Sequence, residues 1–176
     1  LASGNYYNLL DPHNARYSIG DIAHALSKLC RFTGHTQRFY SIAEHCVHAS
    51  RHIEPRYAKD ALMHDGAEAF IGDVSAPLKQ LLPDYRKIEA RIESEIAGRF
   101  GLEWPHPPEV KRIDYAMLAT EQQQLMLNND TWSHAHGAQA MSITLPCWEP
   151  DRAFTEFMRA SSNLPPDQRR TIDGIL

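Results

Sequence analysis

Residues 55–72 read PRYAKDALMHDGAEAFIG, and this stretch decides the predicted fold. Proline is well tolerated at the first position of a helix, so Pro55 is expected to open one, and Gly72 is expected to end it. The apolar residues of the stretch recur as in a helix that packs against a core; they are Ala58, Leu62, Ala69 and Phe70. The stretch therefore predicts one buried helix with the ionisable pair His64-Asp65 in its middle.

Further helices are predicted on both sides of this stretch. Ser41 and Glu44 form a capping-box pattern, in which each side chain satisfies a free backbone N–H at a helix start. The predicted spans are residues 18–30, 41–53, 83–100, 107–127 and 151–160. The alternation typical of strands is limited to a weak run at residues 142–145. The sequence therefore predicts an all-α bundle of about six helices.

Composition bounds the class of protein. The 176 residues are 43% hydrophobic and 23% charged, which favours a globular chain, and we expect a single domain over residues 1–176. The formal charge of -4 gives no general cationic field for a nucleic-acid polymer or an anionic membrane. No run approaches the roughly 18 to 20 apolar residues of a membrane span, and no signal peptide is visible. Together with three scattered cysteines, Cys30, Cys46 and Cys147, these features favour a cytoplasmic protein with free thiols.

The sharpest chemical feature is the pair His64-Asp65 in a helix patterned for burial. Burying ionisable groups is costly unless something compensates, and a bound cation would do so. His45 on the preceding helix and Asp114 on a later one complete a set of two imidazoles and two carboxylates that can converge in a bundle core. We therefore predict one divalent ion, either Mn, Co, Zn, Mg, Fe or Ni, with positions left open for catalysis.

Four short motifs contain these residues: Ile42-Ala-Glu-His45, Met63-His-Asp65-Gly-Ala-Glu68, Ile71-Gly-Asp73 and Ile113-Asp114. In their order and spacing, from about residue 9 to 126, the chain resembles the HD-domain phosphohydrolase superfamily. It most resembles the bacterial 5′-deoxynucleotidase branch and related bacterial and phage hydrolases. The resemblance implies a helical HD domain that removes phosphate or polyphosphate from nucleotides. HD proteins that hold two metals have two more histidines between the His-Asp pair and the final Asp. Here only His106 lies between Asp65 and Asp114, which favours a single ion.

Two carboxylates are candidates for proton transfer and substrate contact. Glu68 follows His64 by four residues and Asp65 by three, so on a continuous helix all three would share a face. Glu68 is then a catalytic base or acid, and the alternative is a solvated helix carboxylate. Asp73 resembles the family's acid on the substrate side, and the alternative is a plain cap for the next turn.

Cationic residues precede the His45 helix and place positive charge where a phosphate would approach the ion. Arg31 and Phe32 match the family's pair of an arginine that grips phosphate and an aromatic residue that shapes the sugar or base pocket. The deoxynucleotidase branch has Trp where this chain has Phe32, so the preference for deoxyribose is left open. Arg38 is a second candidate for neutralising the phosphate. The alternative is a basic solvated loop with a buried Phe32.

Three further polar residues are ambiguous. His48 and His52 follow His45 at helical spacing and imitate a zinc-binding face, but no carboxylate or thiolate joins them in the sequence. Glu121 lies seven residues after Asp114, on the same helix face. It fits either a residue that supports the metal ligands or a polar surface.

These residues, with the family resemblance, predict a metal-dependent phosphohydrolase, and the resemblance implies that it releases phosphate from nucleoside or deoxynucleoside 5′-monophosphates. One alternative is a deoxynucleoside triphosphate triphosphohydrolase, in which the same centre attacks a different phosphorus. Another is a noncatalytic HD protein that binds a nucleotide as a sensor or scaffold, and a third is a purely structural metal bundle. The expected partner is a small nucleotide substrate, with no nucleic-acid polymer and no membrane, and we expect a homo-oligomer.

Overall fold

The computed structural model describes residues 1–128, 130 and 136–162, and in these residues the fold is all-α. The α-helices are α1 (Ile19–Leu26), α2 (Ile42–Arg51), α3 (Ala58–Met63), α4 (Glu68–Ile71), α5 (Ala76–Gln80), α6 (Pro83–Phe100), α7 (Pro108–Leu125) and α8 (Pro150–Ser162). The described residues form no β-sheet, and their one isolated bridge joins Cys30 to Ser41. The predicted fold class is therefore confirmed.

Helix α2 lies at the centre and packs against α1, α3, α7 and α8. Residues 42–50 are all buried, so the polar side chains of this helix must find partners inside the protein. Its N-terminus has half of the predicted capping box: the Ser41 hydroxyl accepts a hydrogen bond from the Glu44 N–H at 3.1 Å. The Glu44 carboxylate binds elsewhere, to the backbone N–H groups of Cys147 and Trp148.

The helix predicted over residues 55–72 is interrupted, so the prediction of one continuous helix is wrong. The chain turns at residues 64–67 through hydrogen bonds three residues apart, from the Gly66 N–H to the Met63 carbonyl at 2.8 Å and from the Glu68 N–H to the Asp65 carbonyl at 3.0 Å. A Cβ atom on Gly66 would lie 2.9 Å from the Met63 carbonyl oxygen, so only glycine fits this turn without a shift. His64 and Asp65 therefore lie in a tight turn and do not share a regular helix face with Glu68.

The remaining helices follow the predicted positions, except that α1 ends at Leu26, four residues before its predicted end. The chain tightens there into a turn in which the Lys28 N–H donates to the Ala25 carbonyl at 3.0 Å. Helix α6 has the predicted bounds, α7 ends two residues earlier than predicted, and α8 is longer than predicted by one residue at its start and two at its end. Helix α5 was not predicted, because its five residues are too few to show a periodic pattern. Helix α5 and the interrupted third helix account for the two helices beyond the expected six.

The core is apolar and lies mainly between α1, α2, α3, α6 and α8. Its fully buried members include Ile22, Leu26, Ile42, Leu62, Ile92, Ile96 and Phe157. A second cluster beneath α7 contains Tyr40, Ala61, Met117, Leu125 and Leu145. These two clusters hold α2, α3 and α7 together where the polar residues converge. Among the described residues, no helix combines the length and apolarity needed to cross a membrane.

The weak strand-like run at residues 142–145 is held along α7 by side chains. The Gln124 amide donates to the Ile143 carbonyl at 2.7 Å, and its oxygen accepts from the Leu145 N–H at 3.0 Å. The Thr120 hydroxyl accepts from the Met141 N–H at 2.8 Å. Side chains of α7 thus replace the neighbouring strand that the alternating pattern suggested.

Candidate metal centre

Four predicted ligands lie around one point between α2, the turn at residues 64–67 and α7. The Nε2 atoms of His45 and His64 are 3.2 Å apart, and Asp114 Oδ1 lies 3.3 Å from the first and 3.8 Å from the second. Bonds of about 2.0–2.2 Å to a shared ion place neighbouring ligand atoms roughly 3.0–3.6 Å apart. His45, His64 and Asp114 thus form a group that could hold a metal ion.

Asp65, in the turn at residues 64–67, lies beside this group. Its Oδ1 lies 3.3 Å from His64 Nε2 and its Oδ2 lies 3.7 Å from His45 Nε2. Oδ2 is buried and has no hydrogen-bond partner among the described residues. A buried carboxylate oxygen without a donor is costly, and a cation beside it would remove that cost.

The outer nitrogens of both imidazoles are already occupied. His45 Nδ1 is 2.5 Å from Glu121 Oε1, and His64 Nδ1 is 2.8 Å from the carbonyl oxygen of Ala61. Each acceptor favours a proton on Nδ1, which leaves the Nε2 lone pair directed at the common point. This pattern, in which the second nitrogen of a histidine donates to an oxygen, is typical of metal-ligating histidines.

Cys46 offers a second grouping with His64 and Asp65 that fits an ion less well. Its sulfur lies 4.0 Å from His64 Nδ1, the nitrogen that already contacts the Ala61 carbonyl. Burial raises the pKa of the Cys46 thiol to about 11, so the thiolate that binds metals is disfavoured. The set that includes His45 and Asp114 is therefore the better site.

The charges around this point call for a cation. Burial by itself would lower the pKa of His64, but the Asp65 carboxylate, together with Cys46 and Asp114, outweighs burial and holds the pKa well above its usual range. Burial would likewise raise the pKa of Asp114, and its contacts with His45 and His64 hold it well below. The two carboxylates thus remain anionic and draw positive charge to the centre, which a divalent ion would supply.

Arg31 joins the centre to a neighbouring cavity. Its Nη2 donates to Glu121 Oε2 at 3.0 Å, and its Nη1 lies 3.7 Å from Asp65 Oδ2. The N–H of Arg31 donates to the Tyr40 carbonyl, so residues 31–40 form a closed loop that begins beside the start of α2. This closure places Arg31, which is far from α7 in sequence, against the Glu121 carboxylate of that helix.

The residues after Arg31 adopt an uncommon backbone conformation. Phe32 and Thr33 have φ values of 54° and 55°, in the left-handed region. That region costs a residue other than glycine about 1 kcal/mol or more, and such residues often occur at functional sites. Both residues line the cavity, so the strained turn supports the predicted role of Phe32 as a wall of a ligand site.

The cavity has a volume of about 920 Å³ and opens beside the candidate ligands. Its charged lining residues are Arg31, Asp65, Glu68, Asp73, Lys79 and Asp114. Its less polar walls include Phe32, Val74, Pro77, Tyr115 and Leu118. One end therefore presents charges next to the metal group, and other walls present flat or apolar surfaces, an arrangement common in small-molecule sites.

Glu68 and Asp73 both lie in this cavity. Glu68 is 4% exposed, its Oε1 is 3.5 Å from Lys79 Nζ, and its Oε2 has no hydrogen-bond partner among the described residues. Burial, assisted by Asp65 and Asp73, raises the pKa of Glu68 well above its usual range. Burial also raises the pKa of Asp73. Neither residue is a fully solvated surface carboxylate, and both present carboxyl groups of raised pKa to the cavity.

Gly72 directs the chain so that Asp73 reaches the cavity. Its φ of 76° and ψ of 162° are accessible almost only to glycine, and its N–H donates to the Glu68 carbonyl at 2.8 Å. Its own carbonyl accepts from the Tyr85 hydroxyl at 3.0 Å. Helix α4 therefore ends in a fixed turn that brings Glu68 and Asp73 to the same wall.

Arg38 does not take the place that the sequence predicted. Its Nη2 donates to the Leu145 carbonyl at 3.2 Å, and Arg38 does not line the cavity. Arg38 lies seven residues after Arg31, and the loop between them turns its side chain toward the segment of residues 141–148. The second cation of the cavity is Lys79, on α5, which the sequence interpretation missed because that short helix has no periodic signal.

Among the described residues, His48 and His52 belong to no group of side chains that could hold a metal ion. His48 stacks on Trp148 with ring centroids 5.1 Å apart, and its Nε2 is 3.7 Å from Glu44 Oε1. His52 Nδ1 donates to the carbonyl of His48 at 2.8 Å. By contrast, Glu121 is fully buried at the candidate metal centre, which decides between its two interpretations. Its spacing of two helical turns from Asp114 was the sequence signal for that position.

Comparison with known proteins finds relatives without an assigned activity. The chain is 40% identical over 149 residues to the uncharacterized protein YfdR of Escherichia coli strain K12, and the alignment covers 83% of each chain. It is 34% identical over 122 residues to the uncharacterized protein RCAP_rcc00048 of Rhodobacter capsulatus, which covers 64% of this chain and 62% of that protein. No family model matches the chain.

Proposed function

We propose that this chain, which belongs to the same protein family as YfdR, is a metal-dependent phosphohydrolase that acts on nucleotides. The observation that carries the proposal is a single cavity lined by two of the candidate ligands, Asp65 and Asp114, together with Arg31 and Glu68. A metal group, a cation for phosphate and a buried acid can together catalyse the hydrolysis of a phosphate ester. The order of these residues along the chain also supports membership of the HD-domain superfamily.

The metal position is proposed for one divalent ion held by His45, His64, Asp65 and Asp114. When bound, such an ion polarises a phosphoryl oxygen and lowers the pKa of water toward neutrality. Nitrogen and oxygen ligands in equal number suit a hard or borderline ion, and the open side toward the cavity suits a substrate.

The protein side chains supply the remaining steps. Arg31 neutralises the nonbridging oxygens of the phosphate with its planar guanidinium. Glu68 accepts a proton as a water oxygen bonds to phosphorus, and a proton returns to the leaving oxygen as the ester bond breaks. Burial raises the pKa of Glu68, which favours its acceptance of the proton. Asp73, on the same wall, orients the water or the sugar.

The charges of the cavity favour a monophosphate over a triphosphate. Arg31 and Lys79 are both already paired with carboxylates, Arg31 with Glu121 and Lys79 with Glu68 and Glu89. Four carboxylates line the same cavity. One divalent ion, Arg31 and Lys79 together carry four positive charges, which equal the four negative charges of these carboxylates. A monophosphate dianion therefore adds less unneutralised negative charge to the cavity than a triphosphate does.

The apolar walls favour a nucleoside as the rest of the substrate. Phe32 and Tyr115 place aromatic rings in the lining of the cavity, and Leu118 adds an apolar side chain. A nucleobase can pack against such faces, and stacking on an aromatic side chain stabilises a base by about 1–3 kcal/mol. The volume of about 920 Å³ is large enough for a nucleotide and is within the usual range for small-molecule sites.

The test is product analysis with protein loaded with Mn²⁺ across ribo- and deoxyribonucleoside 5′-mono-, di- and triphosphates. We expect inorganic phosphate and nucleoside from the 5′-monophosphates, and no turnover after treatment with a chelator. Release of intact triphosphate would instead show a triphosphohydrolase. Tight nucleotide binding without any product would show the noncatalytic sensor, and would overturn the proposed function.

A further inference from the structure

Glu121 connects the candidate metal ligands to the cation of the cavity. It lies on α7, two turns after Asp114, and is fully buried. Oε1 contacts His45 Nδ1 at 2.5 Å, and Oε2 accepts from Arg31 Nη2 at 3.0 Å. One carboxylate thus contacts both a candidate metal ligand and the arginine proposed to bind phosphate.

The two partners explain why this position holds a carboxylate. A glutamine has one acceptor oxygen and an NH₂ group that only donates. Because His45 Nδ1 and Arg31 Nη2 both point donors at residue 121, the NH₂ of a glutamine would face a donor. The charge is costly to bury, and neighbouring members of α7 such as Met117 and Leu125 are buried apolar residues. A carboxylate there serves its two partners.

We propose that Glu121 is a positioning residue that orients His45 toward the ion with one oxygen and Arg31 toward the phosphate with the other. The inference rests on the proposed function and adds a residue to it. A proton held on His45 Nδ1 leaves Nε2 free to bind metal. The same carboxylate fixes the guanidinium so that Nη1 lies toward Asp65 and the cavity.

Glu44 provides a matched control. It is also a fully buried glutamate beside a histidine of α2, and both of its oxygens are also used. Its partners are the backbone N–H groups of Cys147 at 2.9 Å and Trp148 at 2.5 Å, away from the cavity. A general effect of removing a buried charge would therefore appear in both variants, and a positioning effect only in Glu121.

The experiment compares Glu121→Gln, Glu121→Asp and Glu44→Gln with the wild type. Metal affinity is measured with Zn²⁺ by chelator competition, and anion binding as the inhibition constant of inorganic phosphate. We expect Glu121→Gln to bind Zn²⁺ about 10 to 100 times more weakly and to bind phosphate more weakly. Glu121→Asp should recover part of both losses, and Glu44→Gln should match the wild type in both.

Each result bears on a different claim. Wild-type affinities for both Zn²⁺ and phosphate in Glu121→Gln, in a protein that does hydrolyse nucleotides, would overturn this inference alone. A loss of metal affinity with unchanged phosphate binding would overturn the Arg31 half of it. A wild-type protein that binds no divalent ion would overturn the proposed function as well. If the Glu121 variants do not fold, nitrogen NMR of the wild type decides: we expect a proton on His45 Nδ1, and an unprotonated Nδ1 contradicts the role.

Discussion

Helix α2 carries two buried histidines, three residues apart, whose surroundings differ in one respect. His45 meets side chains from other elements: His64 and Asp65 from the turn, and Asp114 and Glu121 from α7. His48 meets the Trp148 ring and the carboxylate of Glu44, which is on its own helix.

The two glutamates beside these histidines show the same contrast. Glu121 contacts the side chains of His45 and Arg31, whereas Glu44 contacts the backbone of the segment that leads into α8. Burial and a nearby carboxylate are thus common to a candidate metal ligand and to a structural histidine. What separates them is convergence of ligand atoms from several elements on one point.

The largest effect is expected at the convergent side of α2. Asp65→Ala removes a proposed ligand, so we expect loss of bound metal together with a fall in turnover of at least about 10⁴, because electrophilic activation is lost. Metal content and phosphate release measured on the same samples check this. A variant that keeps its ion and its activity would remove Asp65 from the ligand set.

Glu68→Ala should separate metal binding from catalysis. The ion and the nucleotide should still bind, because the proposed ligands and Arg31 are intact, and turnover should fall by about 10² to 10⁴, the usual contribution of a positioned acid or base. Bound metal, nucleotide affinity and phosphate release are compared with those of Asp65→Ala. Unchanged turnover would reject the proton-transfer role and leave the metal site standing.

The structural side of α2 should respond in stability. Glu44→Gln weakens the hold on two buried backbone N–H groups, so we expect the free energy of unfolding to fall by about 1–3 kcal/mol, with metal affinity within about threefold of the wild type. Denaturant unfolding and chelator competition measure the two quantities. If Glu44→Gln lost the ion and kept its stability, Glu44 would support the metal site and would not have the structural role assigned to it.

The smallest effect is expected for His48→Phe. The new ring can still stack on Trp148, so the stability should change by less than about 1 kcal/mol and the metal content should not change. Metal analysis of this variant beside His45→Phe, which should lose the ion, tests the contrast directly. Equal metal loss in both variants would refute the distinction between the two histidines.

Much of the fold could be predicted because its signals are local. Helix α6 has the predicted bounds, since its apolar repeat lies within the helix and Gly101 directly follows its last residue. The break after Met63 was missed because helical periodicity continues through the turn, and only the close approach at Gly66 reveals it.

The sequence predicted which candidate ligands come together, and it predicted the residues around them less well. His45, His64, Asp65 and Asp114 are adjacent in space, as their residue types and order suggested. Arg38 was predicted beside the phosphate but does not line the cavity, whereas Lys79 lines the cavity and was not predicted. The course of residues 31–40 and the short helix α5 depend on contacts distant in sequence. Glu121 had a spacing signal, but its partners His45 and Arg31 lie 76 and 90 residues away.

The most direct measurement of the central claim is anomalous diffraction from crystals of the protein loaded with Mn²⁺, recorded near the metal absorption edge. We predict one strong peak within about 2–2.5 Å of His45 Nε2, His64 Nε2 and a carboxylate oxygen of both Asp65 and Asp114. A protein with no peak there, or with its ion beside His48 and His52, would contradict the account.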